Sequence, residues 1–93
     1  MKVEKEDKLK KLRKEIDLVD RKIVNLLEQR FKIVDKIMKF KIKKGLNLTD
    51  KKREREIIEN LLKITKNESL KRCLYNIYKH IFKASKEKYK KID

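Results

Sequence analysis

Three cationic side chains, Arg13, Arg30 and Lys41, fall on or beside the apolar stripe of a long predicted helix. Arg30 lies three residues after Leu27, and Lys41 lies four residues after Ile37. A cation that faces a helical core costs free energy unless a group of opposite charge pairs with it. Because few carboxylates share this stripe, the pattern favours a negatively charged ligand as the missing partner.

The choice of arginine supports this interpretation, since only six of the 30 basic residues are Arg. In a chain so rich in lysine, we expect an Arg to be present for its guanidinium, which fits a carboxylate with two parallel hydrogen bonds. The alternative for Arg30 is that its stem extends past the stripe and its head pairs at the surface with Glu28 or Asp35.

Further polar residues are predicted on inward helix faces. Asp50 stands at the start of the second predicted helix, Arg53 and Glu54 lie one turn before its apolar stripe, and Ser85 follows Ile81 by four residues. With the three cations, this set can bind a small dianion and stabilise charge that develops within it. No nucleophile–base set, phosphate-binding glycine loop or zinc spacing is visible, and His80 is read as a surface residue, so we expect neither a metal nor a cofactor.

The elements that must position these residues are predicted to be helices only, because the chain has no Pro, one Gly and strict helical periodicity. We expect a single domain over residues 1–93, an all-α three-helix subunit with a long N-terminal helix. The first helix is predicted from Asp7 to Lys43 with Gly45 as its stop, the second from the N-cap Thr49 or Asp50 to about Lys66, and the third after Asn67-Glu68-Ser69. The inward stripes are expected to include Ile57, Ile58, Leu61, Leu62 and Ile64 in the second helix and Leu70, Cys73, Leu74, Ile77, Tyr78, Ile81 and Phe82 in the third.

The spacing of the two stripe arginines predicts a dimer. Arg13 and Arg30 are roughly 25 Å apart along one helix at 1.5 Å per residue, too far to hold one small molecule together. An antiparallel partner helix related by a two-fold axis would bring Arg13 of one subunit to the site of the other, and would make two equal shared sites.

Charge and composition bear on partners and location. The net charge of +15 could attract nucleic acid, but the lysines spread along every predicted helix and six aromatic residues offer little for base stacking. We therefore disfavour nucleic acid as a partner. No apolar run approaches the length of a membrane span and no secretory leader is recognised, so no membrane partner and a cytoplasmic location are expected.

The joint spacing of these motifs resembles the all-helical (AroQ-class) chorismate mutase family, over about residues 9–90. The resemblance is carried by Leu12-Arg13-Lys14-Glu15-Ile16-Asp17-Leu18-Val19-Asp20, by Ile23, Leu26, Leu27, Arg30 and Lys41, and by Asp50-Lys51-Lys52-Arg53-Glu54. It implies an intertwined two-fold homodimer of three-helix subunits. It also implies the Claisen rearrangement of chorismate to prephenate, on the route to phenylalanine and tyrosine, without covalent catalysis.

The resemblance also implies a role for each candidate residue. Arg13 would hold one substrate carboxylate across the dimer, and Arg30 would hold the other. Lys41 would donate a hydrogen bond to the breaking ether oxygen. Asp50 and Glu54 would lie near the substrate hydroxyl, Arg53 would shape the local electric field, and Ser85 would lie near a carboxylate. The family commonly has Gln or Glu four residues after the serine, as a second donor to the ether oxygen. This chain has Tyr89 there, so either its phenol or the neighbouring Lys88 would have to donate.

Three other interpretations stay open at this stage. An isochorismate-pyruvate lyase shares the fold, although Asp50-x-x-Arg53-Glu54 favours the mutase. A basic helical module that binds nucleic acid or protein would leave Arg13, Arg30 and Lys41 as ordinary surface charges and would bind nucleic acid with a steep salt dependence. A structural coiled coil is disfavoured by Arg30 in the apolar seam and by the two further helices.

Overall fold

The computed structural model of the protein describes residues 2–90, with side chains from residue 3 onward. Within this range it contains helices and no strand, which confirms the all-α prediction. The elements are α1 (Lys2–Lys44), α2 (Lys51–Ile64), α3 (Glu68–Ser85) and a short 3₁₀ helix (Glu87–Tyr89). The first helix begins five residues before the predicted start at Asp7, because residues 2–6 are mostly Lys and Glu, which form helices well, and include no Gly or Pro.

The chain divides into two compact units between Ile33 and Val34, and this division falls within α1. The single domain over residues 1–93 therefore stays a prediction. In the N-terminal unit, α1 carries its predicted apolar stripe, but the stripe residues Leu12, Ile16 and Ile23 are all about half exposed. The N-terminal unit thus presents an amphipathic helix whose apolar face is not buried within that unit.

The C-terminal unit builds a small core of its own. Met38 on α1, Leu48 in the connection to α2, and Tyr89 in the 3₁₀ helix are buried together, and Val34 packs against them. Elsewhere in the unit α2 packs against α3. Within α3 the buried Phe82 meets Tyr78 edge-to-face, with ring centroids 5.8 Å apart.

Gly45 makes the sharp turn that takes the chain from α1 toward α2. Its φ of 68° lies in the left-handed region, which a residue with a side chain occupies only at a cost. The Leu46 amide donates to the Lys41 carbonyl at 2.8 Å and the Gly45 amide to the Ile42 carbonyl at 3.2 Å, the paired bonds of a Schellman C-cap. The predicted stop at Gly45 is confirmed.

Some predicted core residues of α2 and α3 are instead exposed. Ile64 is 75% exposed because it is the last residue of α2 and lies about a quarter turn from the centre of the Ile57–Leu62 stripe. Cys73 is exposed, and Leu70 and Ile77 are 41% and 44% exposed. These three residues are rotated from the buried Leu74 to the same side of α3, so that side of the helix is open within the unit.

A membrane-spanning helix would have to be both long and apolar. None of the helices described between residues 2 and 90 combines the length and apolar content that crossing a membrane requires.

Candidate active site

Lys41 lies in the last turn of α1, and its side chain is held in place. The residue is half-buried, as its position four residues after Ile37 predicted, and its Nζ donates to the Leu48 carbonyl oxygen at 3.2 Å. Lys39 and Lys43, two residues to either side, are exposed. Since an ammonium group has three N–H donors, Lys41 keeps two for another acceptor while the first fixes its position.

Asp50 begins α2 as its N-cap. Its carboxylate accepts a hydrogen bond from the Arg53 amide at 3.0 Å, and its carbonyl oxygen accepts from the Glu54 amide at 3.1 Å. The carboxylate bond satisfies one of the amides that a helix start leaves without an intrahelical partner, and the carbonyl bond opens the helical ladder. The cap fixes the start of α2, and Arg53 and Glu54 lie in the first turn that follows.

Arg53 and Glu54 point in different directions from that first turn. The prediction that Arg53 faces inward is wrong, because its side chain is 61% exposed and lies 3.8 Å from the Glu56 carboxylate. Glu54 is half-buried, as predicted. The physical reason is rotation: Glu54 lies at the centre of the arc defined by Ile57–Leu62, whereas Arg53 lies about 100° to one side.

Glu54 meets a partner that the sequence prediction did not include. The Lys86 Nζ lies 2.8 Å from the Glu54 Oε2 and joins the start of α2 to the end of α3, and both side chains are mostly buried. The pair lines a groove of about 270 Å³ whose other walls come mainly from lysines. Lys86 follows the buried Phe82 by four residues, so its inward face could have been predicted from the periodicity of α3.

Ser85 is the last residue of α3 and is half-buried, as its place on the apolar stripe predicted. Its Oγ donates to the Phe82 carbonyl at 3.0 Å. This bond occupies the hydroxyl proton and leaves the oxygen lone pairs as acceptors.

Tyr89 and Lys88 both reach Asp35 on α1. The Tyr89 hydroxyl donates to Asp35 Oδ1, the Lys88 Nζ lies 2.7 Å from the same oxygen, and the Lys39 Nζ lies 3.3 Å from Oδ2. These donors, Lys88 first and then Tyr89, hold the pKa of the Asp35 carboxyl far below its usual range. The bond to Asp35, together with burial, raises the pKa of the Tyr89 phenol. The sequence prediction named Asp35 only as a surface partner for Arg30.

Arg13 and Arg30 belong to the N-terminal unit. Arg13 is exposed and Arg30 is half-buried. Both lie on the continuous helix α1, so their separation along its axis is roughly 25 Å, as the sequence predicted. One small molecule cannot bridge them within a single helix.

The C-terminal unit therefore contains an ammonium (Lys41), a carboxylate–ammonium pair (Glu54 and Lys86) and a hydroxyl (Ser85), of which only the pair lines the groove. The residues described between 3 and 90 contain no cluster of three or more His, Cys, Asp and Glu that could hold a metal ion. His80 is exposed, as predicted. The chemistry open to this set is the positioning of a polar substrate and the stabilisation of developing negative charge.

Relatives of known identity resemble the chain over most of its length. It is 38% identical over 90 residues to the bifunctional chorismate mutase/prephenate dehydratase of Aquifex aeolicus (strain VF5), a match that covers 92% of this chain and 25% of that protein. The chain thus spans about a quarter of the length of that relative. A structure of chorismate mutase (form I) from Thermus thermophilus is similar with a TM-score of 0.80 and 35% sequence identity, covering 84% of this chain and 98% of that one. The sequence profile described as chorismate mutase type II matches residues 12–90, and the chain belongs to that family.

Proposed function

We propose that the protein is a chorismate mutase, an isomerase that converts chorismate into prephenate in phenylalanine and tyrosine biosynthesis. The observation that carries the proposal is the family match over residues 12–90, because all eight candidate site residues fall within it. The reaction breaks a carbon–oxygen bond and forms a carbon–carbon bond within one molecule. Such a rearrangement needs no nucleophile, base, metal or cofactor.

Lys41 is the central catalytic group in this proposal. As the ether C–O bond breaks, negative charge grows on the ether oxygen, and an ammonium beside that oxygen is attracted more strongly in the transition state than in the ground state. The bond from Lys41 to the Leu48 carbonyl, at 3.2 Å, supports this role since it fixes the ammonium before substrate arrives. A group that is already oriented does not have to be reorganised during the reaction.

The other residues bind and orient the dianion, each in the role that the family resemblance implies. Arg30 and the Arg13 of a second subunit hold the two carboxylates, with Ser85 near one of them. Asp50 and Glu54 lie near the substrate hydroxyl. Arg53 acts through its charge at a distance, which is compatible with its exposed side chain.

We further propose that the active form is a two-fold homodimer. The exposed apolar stripe on the N-terminal part of α1 supports this, because such a stripe is expected to be covered by another copy of the chain. In the dimer each site takes Arg13 from the partner subunit. A cytoplasmic location stays a prediction from the sequence.

The first experiment follows chorismate with purified protein. We expect chorismate to be consumed and prephenate to form, at a rate unchanged by a metal chelator. Formation of pyruvate would instead identify a lyase. Absence of turnover combined with steeply salt-dependent binding of DNA or RNA would support the basic binding module.

The second experiment tests the shared site. Arg13→Ala and Arg30→Ala dimers should each be inactive, and mixing them under conditions that exchange subunits should restore part of the activity. One of the two sites in each mixed dimer then has both arginines. No recovery after demonstrated exchange would mean that the two arginines do not act from different subunits.

A further inference from the structure

The C-terminal 3₁₀ helix is tied to α1 at Asp35. The carboxylate of Asp35 accepts a hydrogen bond from the Tyr89 hydroxyl and pairs with Lys88 at 2.7 Å. Lys39 adds an ion pair at 3.3 Å, on the same helix as Asp35. Three donors thus converge on one carboxylate that has no place in the reaction proposed above.

The ring of Tyr89 connects Asp35 to the segment between α1 and α2. Tyr89 is 8% exposed and is buried together with Met38 and Leu48, which is 5% exposed. Since the hydroxyl is fixed by Asp35 at one end, the ring is held in one position against the Leu48 side chain. Leu48 is therefore held by its side chain in a segment that belongs to no helix.

The backbone of Leu48 in turn holds the ammonium of Lys41. Its carbonyl oxygen accepts from Lys41 Nζ at 3.2 Å. A lysine side chain has a flexible four-carbon stem and a compact charge, so without a fixed acceptor its ammonium would sample many positions. The position of Leu48 thus decides where the Lys41 charge lies.

We propose that Tyr89 and Asp35 are positioning residues that place the Lys41 ammonium through Leu48, and that Tyr89 does not itself donate to the substrate. The inference rests on the proposed function and deepens it. A phenol has a single proton, and that proton is committed to Asp35. Tyr89 therefore acts on the site through Leu48 and Lys41 and not through a bond of its own to the substrate.

The test compares Tyr89→Phe and Asp35→Ala with wild type, since an alanine at position 35 leaves no side-chain acceptor for the Tyr89 hydroxyl. Tyr89→Phe keeps the buried ring and removes only the hydroxyl. Each variant should lower kcat about tenfold, because a misplaced catalytic group slows the reaction. The KM for chorismate should change less than about twofold. The double variant should be no slower than the slower single variant, because both changes break the same path. Tyr75→Phe, on an exposed tyrosine of α3, is the matched control and should leave kcat unchanged.

The Lys41→Ala background separates positioning from general damage. There Tyr89→Phe should have no further effect on kcat, because no ammonium remains to be placed. An equal loss in both backgrounds, an unchanged kcat in Tyr89→Phe, or a loss in Tyr89→Phe without any in Asp35→Ala would each overturn the inference. The last result would mean that the phenol donates directly to the substrate.

A readout without substrate keeps the inference testable should the proposed function fail or Tyr89→Phe not fold. The side-chain NMR signals of Lys41 should show restricted motion in the wild-type protein and greater motion in Tyr89→Phe and in Asp35→Ala, with Lys43 as the exposed reference. Equal mobility of Lys41 in wild type and in the folded variants would reject the path through Leu48, whatever the reaction.

Discussion

The two units of the chain bury apolar surface in different ways. In the N-terminal unit, Ile16 and Ile23 are 58% and 49% exposed although they lie on a regular apolar stripe. In the C-terminal unit, Met38 and Leu48 are 4% and 5% exposed within one chain. The C-terminal unit can therefore hold Lys41 in place by itself, whereas the N-terminal unit needs another surface to become stable.

Helix energetics lead to the same conclusion. Most of the stability of a helix in a protein comes from packing of its apolar face rather than from the propensity of its residues. The N-terminal part of α1 gains little from such packing, because most of its large apolar side chains are half exposed or more. We therefore expect the folding of the N-terminal unit to depend on protein concentration, and that of the C-terminal unit to depend on it less.

The largest effect is expected from a charge placed in the exposed stripe. Ile23→Glu should weaken the dimer at least about 10³-fold, because a two-fold interface contains the change twice and each uncompensated polar group costs about 2 kcal/mol or more. Activity should fall with the dimer, since in the proposed homodimer each site takes Arg13 from the partner subunit. Sedimentation and chorismate turnover, measured over a range of concentrations, check both expectations.

Asn25→Glu is the matched control for this substitution. It adds the same charge two residues away, rotated about 200° from Ile23 around α1, and Asn25 is exposed. If both substitutions weakened the dimer equally, the apolar stripe would not be the surface through which the subunits associate.

The second-largest effect is expected from removal of the Lys41 ammonium. Lys41→Ala should lower kcat by roughly two orders of magnitude, as loss of a charge-stabilising donor commonly does. Lys43→Ala removes the same charge from an exposed position in the same turn and should change kcat little. Lys39→Ala is a less clean control since Lys39 pairs with Asp35. Equal losses at Lys41 and Lys43 would show that bulk positive charge carries the function.

A smaller effect is expected at the turn that closes α1. Gly45→Ala should destabilise the protein by about 1 kcal/mol, since a side chain at a φ of 68° is strained although the space around it is open. Asn47→Ala in the same connection should cost less, because no described residue other than Gly45 has a positive φ. Urea unfolding of both variants measures the difference, and equal values would mean that the turn is not a point of strain.

The smallest effect is the loss of stability when a half-buried ion pair is broken, compared with the loss when an exposed ion pair is broken. Lys86→Met should destabilise the protein by about 0.5–1 kcal/mol, because Glu54 loses its partner while only 27% of its side chain is exposed. Lys71→Met breaks the more open pair with Glu68, at 3.5 Å, and should cost less. Urea unfolding ranks the two, and the reverse order would show that the Glu54–Lys86 pair does not brace α2 against α3.

Periodicity and capping chemistry are sufficient to predict the three helices and several inward polar residues. The apolar spacing, the stop at Gly45 and the cap at Asp50 are local features, and local features can be read directly from sequence. The inward faces of Lys41, Glu54 and Ser85 follow from the same spacing. Whether these residues contact a substrate stays a prediction, which the experiments above address.

The errors and omissions have a different physical origin. Arg53 is predicted to face inward because it lies four residues before Ile57, yet it is at the edge of the arc and not at its centre. Asp35 accepts from Tyr89, 54 residues later in the chain, and Lys86 pairs with Glu54, 32 residues earlier. Such contacts depend on how separate elements pack, and no local sequence pattern predicts them.

The exposed thiol of Cys73 has a practical consequence for studying the two units. It is the sole cysteine of the chain and lies on the outer side of α3, away from the buried Leu74. A maleimide dye or nitroxide can therefore be attached at one known place without any mutation. In a two-fold assembly the labels come in pairs, so a single interprobe distance, followed during dilution, would report association directly and independently of enzyme kinetics.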